Sequence, residues 1–233
     1  MSLKRVPLHQ KTHANLNVKI DRSYAHVRGQ HLIPVVIHEF AQVCIEYPIV
    51  FVKNEQNGRF RAVAMTGVVP GENLYVGEEW RAPYIPASVT HFPLSLIPDA
   101  QNKDQVLVAI IEGSDLLSRE LGEALFDERG NNTPYLEQRK KKMIQYLESE
   151  QVTFSFLQML ADLNVLAHRS LTLNIEGNPL KLEGVYMVDE SKLNELDDSK
   201  FIDLRKRGLL TPIYSHLCSL AQVNRLTLMK AKR

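Results

Sequence analysis

The chain has 233 residues, of which 44% are hydrophobic and 24% are charged, and its formal net charge is +1. These values are typical of a globular protein with a sizeable core, and the small net charge argues against a dedicated nucleic-acid-binding protein. No stretch approaches the roughly 20 apolar residues that a membrane helix needs, and the N-terminus lacks the apolar region of a secretory signal. The sequence therefore predicts a cytoplasmic protein with no transmembrane segment and no nucleic-acid partner.

The first predicted elements are a helix and a β-hairpin. Pro34 suits the first turn of a helix that ends before Pro48, and four apolar residues recur along one face of it: Val36, Phe40, Val43 and Tyr47. Residues 49–53 (IVFVK) and 59–68 (RFRAVAMTGV) then have the composition of strands, and the NEQNG segment between them has that of a turn.

The segment 70–98 is the most unusual part of the sequence. It holds five of the eleven prolines and the only tryptophan, and proline fixes φ and removes a hydrogen-bond donor, so turns and extended pieces are predicted instead of a helix. Its aromatic residues distinguish it from disordered sequence. We expect a long ordered loop, anchored by Trp80 and Tyr84, that contributes to a ligand or partner surface.

The middle of the chain predicts one strand and one long helix. Residues 105–111 (QVLVAII) form a continuous apolar run, which is typical of an interior strand. Thr133 followed by Pro134 combines an N-cap hydroxyl with a first-turn proline. This pair predicts a helical region from Pro134 to about Leu166, with a break near residues 150–153.

The last third predicts a second hairpin and two more helices. Leu171–Ile175 and Pro179–Met187 flank the turn at 176–178, which has the sequence EGN. Gly208 is interpreted as the residue that follows a short helix. Thr211 and Pro212 repeat the pattern of an N-cap residue followed by a first-turn proline, so the final predicted helix begins there.

Two hairpin signals and few alternations of strand and helix predict the α+β class. The expected architecture is an antiparallel-dominated sheet built from β-hairpins, with residues 105–111 as an interior strand, packed against three or more helices. No internal repeat or low-complexity linker divides the sequence. Residues 1–233 are therefore expected to form a single α+β domain.

The two cysteines, Cys44 and Cys218, are predicted to be reduced and at least mostly buried. Each lies on an apolar helical stripe in a chain without a secretory signal.

Known catalytic signatures are absent from the sequence. It contains no G-x-S-x-G, G-x-G-x-x-G or G-x-x-x-x-G-K motif, and none of its eight histidines begins H-x-D/E or H-E-x-x-H. No catalytic residue, cofactor or metal ligand is therefore predicted, although a metal site assembled from distant residues stays open. His216 is interpreted as a core or interface histidine on a helix.

Four blocks of the sequence resemble a known family. They are EFAQVCIEYPIVFVKN at 39–54, GRFRAVAMTGVVPGENLYVG at 58–77, LFDERGNNTPYLEQR at 125–139 and LRKRGLLTPIYSHLCSLAQVNRL at 204–226. In sequence and in order they are similar to blocks of the SapC-like proteins of Gram-negative bacteria, over about residues 15–226. The resemblance implies a bacterial accessory protein for the uptake or modification of a peptide or small metabolite, because family members occur near outer-membrane receptors and cupin-like or halogenase-like proteins. It implies no catalytic residues.

The candidate ligand-binding or partner-binding residues lie in the proline-rich segment: Glu79, Trp80, Arg81, Tyr84 and His91. Carboxylates, a guanidinium, an imidazole and flat aromatic faces could together line a pocket for a peptide or small ligand. The alternative is a structural loop in which Trp80 fills the core while the charged residues form surface ion pairs.

Two charged segments are given structural interpretations. The basic run at 139–142 (RKKK) is interpreted as a solvated helix face, with contact to an anionic partner as the alternative. The acidic turn at 125–132 is interpreted as turn geometry before a helix, with metal or phosphate binding as the alternative.

Two classes of function remain after these exclusions. The first is a non-catalytic binding or accessory protein, whose partner is a protein encoded nearby or a small peptide or metabolite. The second is an enzyme of unrecognised type, with Glu79 as acid, Arg81 as anion-binding group and His91 as base. Convergence of His91 and one of these charged groups in a pocket would favour the enzyme. The ligand and the oligomeric state, a homo-oligomer included, are left open.

Overall fold

A computed structural model describes residues 3–102, 105–175 and 177–232. The strands are β1 (Lys4–Pro7), β2 (Asn17–Val18), β3 (Leu32–Pro34), β4 (Ile49–Lys53), β5 (Phe60–Met65), β6 (Leu94–Pro98), β7 (Val106–Glu112), β8 (Leu117–Ser118), β9 (Glu123–Ala124), β10 (Leu166–Ile175) and β11 (Asn178–Val188). The α-helices are α1 (Gln10–His13), α2 (Phe40–Val43), α3 (Ala87–Thr90), α4 (Pro134–Asp162), α5 (Glu190–Asn194), α6 (Asp198–Lys206), α7 (Leu210–Ser219) and α8 (Val223–Ala231). Short 3₁₀ helices span Ala25–Val27, Ile37–Glu39 and Leu220–Gln222.

The strands form three antiparallel sheets, which confirms the predicted α+β class. The largest has the order β10-β11-β4-β5-β3, the second has the order β1-β7-β6, and the small third sheet has the order β8-β2-β9. Both predicted hairpins are confirmed, and pairing of β11 with β4 joins them into one sheet. At the predicted turn 176–178, Glu176 lies outside the described residues, and Gly177 has a φ of +85°.

The predicted interior strand is central, but in a different sheet from the one expected. Strand β7 lies between β1 and β6 and does not pair with the two hairpins. Its neighbours come from the N-terminus and from the end of the proline-rich segment. Pairing with such distant strands depends on tertiary contacts, which an apolar run alone does not specify.

Three helix boundaries differ from the sequence prediction. Pro34 ends strand β3 instead of starting a helix, because β3 pairs with β5, with Ile33 opposite Ala64. Helix α7 begins at Leu210 with Leu209 as its N-cap, so Thr211 lies inside the first turn. Helix α4 continues without a break through residues 150–153, where Thr153 donates a hydrogen bond to the Ser149 carbonyl and accepts one from the Ile37 amide.

Helix α4 spans both main sheets and two apolar cores. Its N-cap is Thr133, as predicted, and its C-terminal half buries Phe156, Leu157 and Leu160 against the five-stranded sheet. Its N-terminal half buries Leu136 and Met143 against the second sheet. The helix therefore bridges the gap between the two sheets. No helix in the described ranges is long and apolar enough to cross a membrane.

The prediction that both cysteines are at least mostly buried is wrong. Both thiols are free, but Cys44 is half-buried and Cys218 is exposed. The buried face of α7 passes through Ile213, His216 and Ser219, so the adjacent Cys218 is turned toward solvent.

His216 is a core histidine, as interpreted, and it links two strands. Val185 pairs with Val52 and Tyr186 with Phe51, so the same register would place Val188 opposite Ile49. There the imidazole is interposed: its Nδ1 lies 2.9 Å from the Ile49 carbonyl oxygen, and its Nε2 lies 3.0 Å from the Val188 amide nitrogen. The Val188 amide can only donate and the carbonyl can only accept, so the ring is neutral with its proton on Nδ1.

We expect the substitution His216→Leu to destabilise the protein by about 2–5 kcal/mol, because one buried amide and one buried carbonyl lose their partners at about 1–3 kcal/mol each. The free energy of unfolding, measured in urea at pH 7.5, checks this. A loss below about 1 kcal/mol would contradict the bridging role.

Stability should also fall as the pH drops from 7.5 to 5. Burial lowers the pKa of His216 to about 4, whereas an unfolded histidine titrates near 6.5. Between these values the unfolded chain binds the proton more readily, so the stabilisation is complete above about pH 6.5 and is lost toward pH 4. Between pH 7.5 and pH 5, the free energy of unfolding should fall by about 1–2 kcal/mol less in His216→Leu than in the wild type. Equal slopes would refute the assignment.

Candidate functional site

Two adjoining cavities lie along the middle of α4. The first, which we call the histidine cavity, has a volume of about 530 Å³ and lies between α4, β3, β6 and residues 26–30. Its polar lining residues are Arg5, His26, Gln30, Ser88, His91, Ser95, Tyr146 and Glu150. Its apolar lining residues include Val27, Ile33, Val89, Phe92, Leu94, Leu96, Ile111, Met143 and Leu147.

The second cavity, which we call the arginine cavity, has a volume of about 470 Å³ and lies between α4 and the β4–β5 hairpin. Its charged lining residues are Lys53, Arg59, Arg61 and Glu150. Pro34, Tyr146, Leu147 and Glu150 line both cavities, so the two adjoin along the helix.

Three polar atoms of residues that line the histidine cavity have no hydrogen-bond partner among the described residues. They are Nδ1 of His26, Nε2 of His91 and Oγ of Ser95, and each is buried without a partner among the described residues. Leaving such an atom unsatisfied costs about 1–3 kcal/mol, and native proteins leave few of them. All three residues line the same cavity, so a molecule that binds there and turns these side chains slightly would satisfy them.

The electrostatic environment keeps His91 neutral. Burial is the largest cause, and the positive charges of Arg139 and Lys142 act in the same direction, so the pKa of His91 falls to about 4. Burial also lowers the pKa of His26, whose ring is stacked on Phe92 at 4.1 Å between centroids. At neutral pH both imidazoles can therefore donate one hydrogen bond and accept another.

Tyr146 and Glu150 form the shared rim of the two cavities. The Tyr146 ring meets His91 edge-on at 5.2 Å between centroids, and burial raises the pKa of the Tyr146 hydroxyl. Partial desolvation raises the pKa of Glu150, and the charge of Arg61 opposes this effect.

The loop that carries His91 is fixed by a network of buried hydrogen bonds. The Glu39 carboxylate accepts hydrogen bonds from the Val36 amide (2.8 Å), the Tyr84 hydroxyl (2.7 Å) and the Ala87 amide (3.0 Å). The Tyr47 hydroxyl donates to the Tyr84 carbonyl (2.5 Å) and accepts from Trp80 Nε1 (2.7 Å). Burial raises the pKa of Glu39, although these three donors oppose the rise.

Two further contacts hold the wall of the histidine cavity. Arg139 Nη2 donates to the His91 carbonyl at 2.7 Å, and Ser88 Oγ donates to the Pro34 carbonyl at 2.7 Å. Arg139 is half-buried and positions the loop, so the solvated-face interpretation of the run 139–142 is wrong for its first residue. Lys141 and Lys142 are exposed, as that interpretation predicts.

Of the five sequence-predicted site residues, only His91 lines one of these cavities within the described part of the chain. Trp80 is 8% exposed and packs in the core against Tyr75. Tyr84 is half-buried and bound to Glu39, Arg81 is exposed, and the exposed Glu79 forms an ion pair with Arg22 at 3.3 Å. The structure therefore does not bring Glu79 and Arg81 to His91.

Sequence reasoning missed His26, Ser95, Tyr146 and Glu150. Tyr146 and Glu150 are four residues apart on α4 and hence on one face of the helix, which is the signal that could have linked them. His26 belongs to a short 3₁₀ helix far from His91 in sequence, and Ser95, four residues after His91, lies on a short edge strand.

The acidic turn before α4 has the structural role that was preferred for it. The Asp127 carboxylate accepts hydrogen bonds from the Asn131 side-chain amide and from the backbone amides of Asn131 and Arg129, and these contacts hold the pKa of Asp127 below its usual range. No group of three or more metal-ligating side chains occurs among the residues that the structure describes.

The chain belongs to the SapC family. The family model named SapC matches residues 8–226 of the 233, which is nearly the whole chain. Neither the curated proteins nor the solved structures contain a significant match to it.

We expect His91→Leu to change the free energy of unfolding by less than about 1 kcal/mol, because the replaced Nε2 is buried without a partner and leucine has a similar volume. The same substitution at His216, where both ring nitrogens are partnered, is the matched control and should cost several times more. Urea unfolding of both variants at pH 7.5 gives the comparison. A large loss of stability in His91→Leu would assign His91 a structural role instead.

Proposed function

We propose that this SapC-family protein is a non-catalytic binding protein that holds a small metabolite or a short peptide in the histidine cavity. Its role would be accessory, in the uptake or modification of that molecule. The observation that carries the proposal is the convergence of His26, His91 and Ser95, each with an unsatisfied buried polar atom, on one cavity.

The size and chemistry of the cavity support a small-molecule ligand. Its volume of about 530 Å³ lies within the range of about 300–1,000 Å³ that is usual for ligand pockets. Its lining is apolar for the most part, with a few hydrogen-bonding side chains at fixed places, and the stacked His26 and Phe92 rings offer a flat wall. Apolar contact would supply affinity, and the three polar atoms would fix the ligand's orientation.

The state of His91 favours recognition over acid–base chemistry. An efficient general base has a pKa near the working pH, whereas that of His91 is held at about 4. Moreover, the acid and the anion-binding group that the enzyme hypothesis required, Glu79 and Arg81, do not line this cavity. A neutral imidazole that keeps its proton is well suited to donate and accept hydrogen bonds to a ligand.

The proposal is tested with N-phenyl-1-naphthylamine, an uncharged fluorophore whose emission rises in apolar surroundings. The wild-type protein should bind it with one-to-one stoichiometry. Ser95→Leu places an apolar side chain at the cavity wall and should weaken this binding by about tenfold or more, which corresponds to about 1.4 kcal/mol or more. Fluorescence titration measures both affinities.

Ser155→Leu is the matched control, because Ser155 is exposed on α4 and does not line either cavity. It should bind the fluorophore as the wild type does. Thermal unfolding of both variants verifies that they are folded. Absence of wild-type binding, or equal binding by the folded Ser95→Leu variant, would refute the histidine cavity as the ligand site.

A further inference from the structure

The arginine cavity extends the histidine cavity toward a cluster of positive charge. Met143 lines only the histidine cavity and Phe154 lines only the arginine cavity. These residues are eleven positions apart on one helix, a distance of about 16 Å at 1.5 Å per residue. The two cavities together therefore have room for an elongated molecule that lies parallel to α4.

The charges that line the arginine cavity are unbalanced. Lys53, Arg59 and Arg61 contribute three positive charges, and Glu150 is the only acidic residue of the lining within the described part of the chain. Glu150 lies at the rim shared with the histidine cavity, so the charged residues that line the rest of the arginine cavity are all positive. A bound anion would find a complementary field there.

The two arginines are placed so that they can act together. Arg59 directly precedes β5 and Arg61 lies within it, and both line the arginine cavity. The Arg59 guanidinium lies over the Phe154 ring of α4, 4.8 Å from its centroid, which fixes it by a cation–π contact without neutralising its charge.

Neither arginine is neutralised by an ion pair within the described ranges of the chain. Burial raises the pKa of Glu150, and the positive charge of Arg61 opposes this rise. Guanidinium groups bind carboxylates through paired, charge-assisted hydrogen bonds. Two such groups at the end of an apolar cavity thus favour a ligand with one carboxylate and an apolar body.

We infer that the arginine cavity is a carboxylate subsite, and that the ligand is an elongated monocarboxylate whose apolar part occupies the histidine cavity. This inference rests on the proposed function. The carboxylate could belong to an alkyl chain or to the C-terminus of a short apolar peptide, since the two share the same recognition chemistry.

The test is displacement of N-phenyl-1-naphthylamine by two matched pairs of compounds. Octanoate is compared with octanamide, and N-acetyl-trileucine is compared with its C-terminal amide, so that each pair differs only in the charge. In at least one pair the acid should displace the fluorophore at an about tenfold lower concentration than the amide. The pair with the larger ratio identifies the source of the carboxylate. The ratio should shrink when sodium chloride is raised from 20 to 500 mM, because salt screens exposed charges.

The double substitution Arg59→Gln and Arg61→Gln should reduce this ratio to about one. The control is the double substitution Arg205→Gln and Arg207→Gln, which removes the same net charge from two exposed residues of α6 and its C-cap that do not line the cavities. It should keep the wild-type ratio.

The outcomes separate the two proposals. If the fluorophore does not bind the wild type, the histidine cavity is not a ligand site and both proposals fail. If it binds but no acid competes better than its amide, or the acid's advantage survives in Arg59→Gln/Arg61→Gln, the carboxylate subsite is refuted while the binding function stands.

Discussion

The buried carboxylate of Glu39 is the interaction on which the candidate site depends. It lies at the end of a single 3₁₀ turn, is 5% exposed, and accepts one hydrogen bond from Val36 and two from the proline-rich segment, from Tyr84 and Ala87. A buried carboxylate without partners would be strongly unfavourable, so the loop has to supply donors at fixed positions. Tyr84 and Ala87 are held in this way, and the residues that follow, Ser88 to Phe92, become one wall of the histidine cavity.

A second constraint is the length of α4. Because one uninterrupted helix packs on two different sheets, the sheets cannot close against each other along its whole length, and the space beside residues 143–157 stays open. One end of this space is lined mainly by apolar side chains and neutral imidazoles, together with Arg5, and the other end has Lys53, Arg59 and Arg61. The proposed division of the ligand into an apolar and an anionic part follows from this asymmetry, because each end of the space favours a different kind of chemical group.

His216 and His91 show how the same side chain serves two purposes. His216 and His91 both have a pKa lowered to about 4 by burial. At His216 both ring nitrogens form hydrogen bonds with backbone groups, so the side chain connects β4 and β11 where the strands separate. At His91 one nitrogen is unpartnered beside a cavity. A buried polar atom without a hydrogen-bond partner is expected where the residue serves binding and not stability.

The sequence by itself determined the elements with strong local signals: both hairpins, the capped start of α4, the glycine after α6 and the α+β class. These depend on turn chemistry, capping and apolar periodicity, which act over a few residues. It also placed His91 among the candidates.

Only the tertiary structure decided that β7 joins β1 and β6, that Trp80 is a core residue bound to Tyr47, and that His91 meets His26, Ser95 and Tyr146 instead of Glu79 and Arg81. Residues 26, 91, 95 and 146 converge through sheet pairing and the packing of α4. Such long-range contacts leave no periodic pattern in the sequence of any one segment.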